Sequence, residues 1–202
     1  MLRFASDTSV DLRARVFYSL GRLRVPAVGR SLLNAIRDQT PALREIAALW
    51  LTRRFADSAG LALAAVENEL IRALDDELAG VRVNAINALV TFSDSTLGRR
   101  IAPLLADANA NVRVAAALAL GVVKGTPAVT ALNAMMDRKD MSWAIRRAGL
   151  SALAKADTAS FSRLALPTAG SLHASSPALP PGKPAEQSHP AHTRKDQRPR
   201  DF

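Results

Sequence analysis

Five times along this chain the same spaced set of residues returns. An Asp is followed five positions on by an aliphatic residue and six positions on by Arg. Counted from the aliphatic residue, a small or aliphatic side chain stands at +4, a small residue or Trp at +7, and Leu at +8. The copies are Asp7/Leu12/Arg13/Val16/Ser19/Leu20, Asp38/Leu43/Arg44/Ala47/Trp50/Leu51, Asp76/Val81/Arg82/Ala85/Ala88/Leu89, Asp107/Val112/Arg113/Ala116/Ala119/Leu120 and Asp140/Ile145/Arg146/Gly149/Ala152/Leu153. The aliphatic anchors are separated by 31, 38, 31 and 33 residues. A period in that range is the signature of a helical array in which each unit buries its apolar face on its neighbours.

Positions 0, +4, +7 and +8 fall within about 100° on a helix, one buried face per copy. The spacing therefore predicts second helices over 10–22, 41–54, 80–92, 111–123 and 142–155. First helices are expected before them, on the stripes Leu32/Leu33/Ile36, Leu63/Val66/Leu70/Leu74, Leu97/Ile101/Leu104/Leu105 and Val129/Leu132/Met135/Met136. Thr40-Pro41 and Thr126-Pro127 each place a capping hydroxyl before a first-turn proline, and Ser93-Asp94-Ser95 and Ser142 offer similar caps. The 38-residue step predicts a longer first helix over 60–75. Only six residues precede Asp7, too few for a partner helix. The face of Leu12, Val16 and Leu20, with Phe4 nearby, then lacks its cover. Either the chain is a piece of a longer array, or a partner covers this end, with self-association through the incomplete first repeat as one form.

The array is expected over 1–155, about four and a half repeats. Residues 156–202 hold 7 of the 11 prolines and all three histidines, and they lack apolar periodicity. Such a segment buries too little surface to offset its ordering entropy, so it reads as a disordered tail. Phe161, Leu164 and Leu166 are the exception, able to add one short helix to the last repeat.

Repeats AGVRVNAINAL and NANVRVAAALAL carry a resemblance to HEAT repeats, particularly the short HEAT-like type also found in phycobilisome lyase subunits. The resemblance spans about residues 5–155 and rests on the recurrence in step. Tetratricopeptide and ankyrin signatures are missing. It implies an all-α fold, an α-α superhelix. It also implies that Asp7, Asp38, Asp76, Asp107 and Asp140, with Arg13, Arg44, Arg82, Arg113 and Arg146, form a structural ladder of hydrogen bonds between neighbouring repeats. An Asp before a helix accepts backbone N–H groups, and Arg offers a rigid fork of donors.

No cysteine is present, which removes thiol catalysis, disulfides and thiolate zinc sites and agrees with a cytoplasmic setting. No secretory signal or membrane-length apolar run is visible. His173, His189 and His192 all sit in the tail, where no imidazole is rigidly held for a catalytic triad. Gly121 to Thr126 lacks phosphate-loop spacing. Asp75-Asp76-Glu77 reads as a charged turn rather than a divalent-ion site, and Trp50 as packing rather than base stacking. The HEAT-repeat hydroxylases carry His-Glu metal pairs, and no His-Glu dipeptide occurs here. Nothing in the sequence calls for a catalytic residue, metal or cofactor.

Net charge is +9. Residues 1–155 contain 21 basic and 14 acidic side chains, so most of the excess belongs to the array. Arg53-Arg54, Arg99-Arg100, Arg146-Arg147, Arg22, Arg24 and Arg30 are the basic clusters, with Arg53-Arg54 expected to close a helix. Two outward positions on each second helix, +2 and +6 from the anchor, give Tyr18, Leu49, Val83, Asn87, Val114, Leu118 and Arg147 on the surface that lines the concave side of a solenoid. An apolar strip rimmed by charge suits a protein segment. Sequence alone therefore predicts a non-enzymatic protein-binding scaffold. Two alternatives are nucleic-acid binding through the Arg pairs and, following the lyase resemblance, a subunit that handles a tetrapyrrole.

Overall fold

The computed structural model describes residues 2–139 and 141–165, which fold as one all-helical unit. In chain order the helices are α1 (Val10–Arg22), α2 (Gly29–Ala35), α3 (Pro41–Trp50), α4 (Arg53–Ser58), α5 (Leu63–Arg72), α6 (Ala79–Val90), α7 (Leu97–Ile101), α8 (Ala110–Val123), α9 (Gly125–Met136), α10 (Trp143–Ala156) and α11 (Thr158–Ala165). Short 3-10 turns add Leu2–Ser6, Pro26–Val28, Ala73–Asp75 and Ala102–Ala106. Helices α1, α3, α6, α8 and α10 stack in sequence as one layer, and α2, α5, α7 and α9 each pack on the second helix that follows. This is a stack of helical hairpins, as the 31–38-residue period requires.

The anchor positions explain the stacking. Leu43, Val81, Val112 and Ile145 are buried, as are Leu51, Leu89, Leu120 and Leu153 at +8. Leu12 is half-buried, but Val16 and Leu20 of the same face are buried and the 3-10 turn Leu2–Ser6 packs on α1, so the face expected to lack its cover is covered. Helices α6 and α8 are apolar nearly all round because they lie between two neighbours of the same layer. Alanines at +4 and +7 let these helices approach closely. At Gly121 a β-carbon would stand 2.6 Å from the Ala152 Cα, so α8 and α10 meet at a distance that admits no side chain there.

Several local expectations are corrected. The helix expected over 41–54 ends at Trp50, and Thr52 caps a separate helix, α4, by accepting the Phe55 N–H. Arg53-Arg54 thus opens a helix instead of closing one. The extra length of the 38-residue step goes into α4, whose Phe55 and Ala56 are buried. The first helix expected over 60–75 begins at Leu63. Thr40 precedes α3 but makes no side-chain cap; Asp38 accepts the Thr40 N–H instead. Thr126 lies inside α9, which begins at Gly125 after Lys124 takes a left-handed φ of 60°. Ahead of α1, the 3-10 turn Leu2–Ser6 lays Phe4 and Ala5 partly against the core.

Helix α11 falls within the span expected to be a tail. It docks on α10, and its buried Ser160 hydroxyl accepts from Asn133 of α9 while donating to Asp157. Asp140, Leu166 and the three tail histidines lie outside the described residues.

Candidate interaction surface

Four of the turns before second helices are each closed by their Asp. Asp7, Asp38, Asp76 and Asp107 accept the N–H two residues on, from Ser9, Thr40, Leu78 and Asn109, at 2.7–2.9 Å. In the first three copies the arginine six residues after the Asp reaches forward to the next turn. Arg44 grips Asp76 through Nε (2.7 Å) and Nη2 (3.1 Å), and Arg82 grips Asp107 through Nε (2.9 Å) and Nη2 (2.8 Å). Both also donate Nη1 back to the carbonyl of their own turn Asp, Asp38 and Asp76. Arg113 makes the same return bond to Asp107. The first rung is looser. Arg13 touches Asp38 only through Nη1 at 3.4 Å, and its buried Nε has no partner among the described residues. Arg146 donates to the Arg138 carbonyl.

Electrostatics follows the geometry. Burial pushes the Asp76 carboxyl up, but the Arg44 fork and the Leu78 N–H outweigh it and hold it below the usual carboxylate range. Asp107 stands in the same balance, between burial and the bonds from Arg82 and Asn109. Asp76 and Glu77 of the acidic triplet Asp75-Asp76-Glu77 are both bonded to Arg44. Among the described residues no group of three or more His, Cys, Asp or Glu is placed to hold a metal.

A second inter-repeat pair escaped the sequence reading. Arg37, between α2 and α3, forms a two-pronged pair with Glu69 of α5, and Arg72 adds a bond at 3.0 Å. The Arg37 bond holds Glu69 below its ordinary value, against the effect of burial. Its signal was present only as an Arg immediately before the turn Asp, a position that does not recur in the other copies.

Away from the ladder, the outward positions of the stacked helices form a row. Tyr18, Leu49 and Leu118 are 47%, 40% and 42% exposed, with Asn87 exposed between the last two in sequence order. Val83 and Val114 are only half-buried, and Arg147 is exposed at the α10 end. Val122, one turn beyond Leu118, and Trp143 at the start of α10 are also exposed. Trp50 is partly buried: its ring covers Gly21, where a β-carbon would meet Cδ1 at 2.4 Å, and Tyr18 meets it edge-on at 5.9 Å between centroids. These contacts place Trp50 in the packing between α1 and α3.

The three basic pairs lie on three different helices, α4, α7 and α10. Arg53 is committed to the Phe92 carbonyl, and its N–H to the Thr91 hydroxyl, which latches α4 onto the end of α6. Arg99 and Arg100 lie on α7, in the layer of first helices, whereas Arg147 lies on α10 in the layer of second helices. Five clefts on the surface have volumes of about 180 to 310 Å³. No helix among the described residues is long and apolar enough to cross a membrane.

No family model matches this chain, and no curated protein does. Its fold recurs among solved structures. The crystal structure of an engineered protein matches it with a TM-score of 0.58, at 14% identity, over 76% of each chain. At that identity the likeness shows the fold alone.

Proposed function

We propose that this chain is a non-enzymatic scaffold of HEAT-like repeats that binds a protein segment along its stacked second helices. The supporting observation is the row of exposed, mainly apolar side chains at one register position of successive helices: Tyr18, Leu49 and Leu118, with Asn87 in the same register and Val83, Val114 and Arg147 beside them. A stripe that repeats with the period of the array presents an extended surface, the arrangement by which solenoids hold a partner over several units. Interfaces are richer in such aromatic and apolar side chains than the rest of the surface, with charge at the rim.

The same geometry weakens the nucleic-acid alternative. Of the Arg pairs on which it rests, Arg53 is committed to the Phe92 carbonyl, and Arg99-Arg100 and Arg147 lie in different helix layers. A tetrapyrrole-handling role has no supporting residue, and the surface clefts are at or below the small end of ligand pockets.

The test compares the wild-type chain with the Leu49→Asp/Leu118→Asp double variant as baits in an extract of the source cells. Both side chains are partly exposed, so the variant is expected to melt somewhat lower while remaining folded, and the two baits are compared at a temperature where both are folded. Partners retained by the wild type should be lost from the variant in quantitative mass spectrometry. Equal retention by the two folded baits would place any binding elsewhere.

A further inference from the structure

One cleft stands at the end of the apolar row, where the C-terminus of α1 meets the junction of α3 and α4. Its volume is about 290 Å³. Leu49, Trp50 and Phe55 form its apolar lining, and Arg24 and Arg54 line it with charge. The two hydroxyls present, on Thr52 and Ser58, are already bonded to the Phe55 N–H and carbonyl. Arg24 and Arg54 are exposed, and their guanidinium groups have no hydrogen-bond or ion-pair partner among the described residues. With the buried Trp50 Nε1–H, which also has no partner among the described residues, they are unspent donors of the site.

The backbone at Arg24 is unusual. Helix α1 ends with the Val25 N–H bonded to the Leu20 carbonyl and the Arg24 N–H to the Gly21 carbonyl. That pattern puts Arg24 at the left-handed position after the helix, with φ 52°. Helix α4 ends in the same way, and there the position holds Gly60, at φ 64°. Glycine is favoured at such a position because a β-carbon is strained there. An arginine therefore stands at the cleft where the backbone favours glycine.

We infer that this cleft is an anchor site for an acidic peptide segment of a partner protein: one bulky apolar side chain seats against Leu49, Trp50 and Phe55 while a neighbouring Asp or Glu pairs with Arg24 or Arg54. Size agrees, since a cavity of ~150 Å³ already holds a benzene ring. Charge agrees, because two unpaired guanidinium groups flank the cleft and each can take a carboxylate in two-pronged fashion. Continuity with the exposed row points to a peptide, because Leu49 belongs to both. The site rests on the scaffold reading and gives its partner a chemistry.

The test is selection of a phage-displayed random dodecapeptide library on the immobilised full chain, followed by titration of the enriched peptides. Enriched sequences should place Asp or Glu within two positions of Phe, Trp or Leu. Arg24→Gly and Arg54→Ser should each weaken them about tenfold or more. Arg24→Gly should do so without lowering the melting temperature, because glycine suits that backbone. No enrichment, enrichment of basic peptides, or enriched peptides that bind both variants as well as wild type would overturn the proposal. In that last case, loss of binding in Leu118→Asp would leave the helix-face reading standing while removing the cleft. Conversely, loss in Arg24→Gly and Arg54→Ser with Leu118→Asp unaffected would uphold the cleft and count against the wider row.

Discussion

At the scale of single residues, the ladder concentrates stability where it is least exposed. The Arg82 and Asp107 side chains are 14% and 9% exposed, against 25% and 22% for Arg13 and Asp38. Removing the arginine of a well-covered, two-pronged pair leaves a carboxylate without its counter-charge and hydrogen bonds. Arg82→Ala is therefore expected to cost about 2–3 kcal/mol, below the range for fully buried pairs because some solvent reaches this one. Arg13→Ala should cost less than about 1 kcal/mol, since its bond is single and long. Chemical denaturation of the two variants checks the order, and equal costs would contradict the geometry. The ladder also sets a pH dependence. Asp76 and Asp107 sit below their unfolded values, near 4. Their contribution is thus complete above about pH 4 and is lost as pH falls through the lowered folded values. Asp76→Asn should reduce stability at pH 7 and flatten the acid limb of a pH–stability curve. An unchanged acid limb would show that the rung carries no proton linkage.

At the scale of helices, spacing between backbones decides which side chains fit. A β-carbon at position 121 meets a backbone atom of α10, not the end of a flexible side chain. Gly121→Ala gains about 1 kcal/mol of helix propensity but must push α8 and α10 apart, a strain of about 1–3 kcal/mol. The net expectation is a lowered melting temperature, read by calorimetry; a raised one would mean that the two helices separate without loss. Gly149 is the gentler case, because Met135 and Met136 fill the space over it and can move. In the sequence Gly149 appears only as the small residue of the fifth copy; what the glycine makes room for comes from α9, in a different part of the chain. The limits of sequence reading follow the same line. The second helices were legible because each repeats one local period, and Asp and Arg at fixed spacing pointed to the rungs. Helix α4 was not, although Thr52 three residues before Phe55 was a capping signal, because a six-residue helix with two buried side chains makes too short a period. The start of α9 was hidden by Lys124, whose left-handed backbone no residue type announced. Most of the cleft was invisible because Arg24 and Arg54 belong to separate helix ends that only the packed structure brings together.

At the scale of the whole array, stability and recognition separate onto different side chains. Neighbouring units hold one another through anchors, small residues and rungs, all turned inward or into the turns. The outward register of the same helices carries less of that load, with Tyr18 against Trp50 and the half-buried Val83 and Val114 its contribution. That division is why the exposed leucines can be charged without a large loss of stability, and why the excess of basic residues does not by itself make a polyanion surface. Five arginines that line up in the sequence are, wherever the structure describes a partner, bonded to a turn carboxylate or a backbone carbonyl. The account's central claim is that recognition falls on the layer of second helices. Amide hydrogen exchange on the full chain, alone and saturated with a display-selected peptide, addresses it most directly. The account predicts slowed exchange in α3, α6 and α8 and around the α3–α4 junction, with α2, α5 and α9 unchanged. Protection confined to α2, α5, α7 and α9, or to none of the helices, would contradict it.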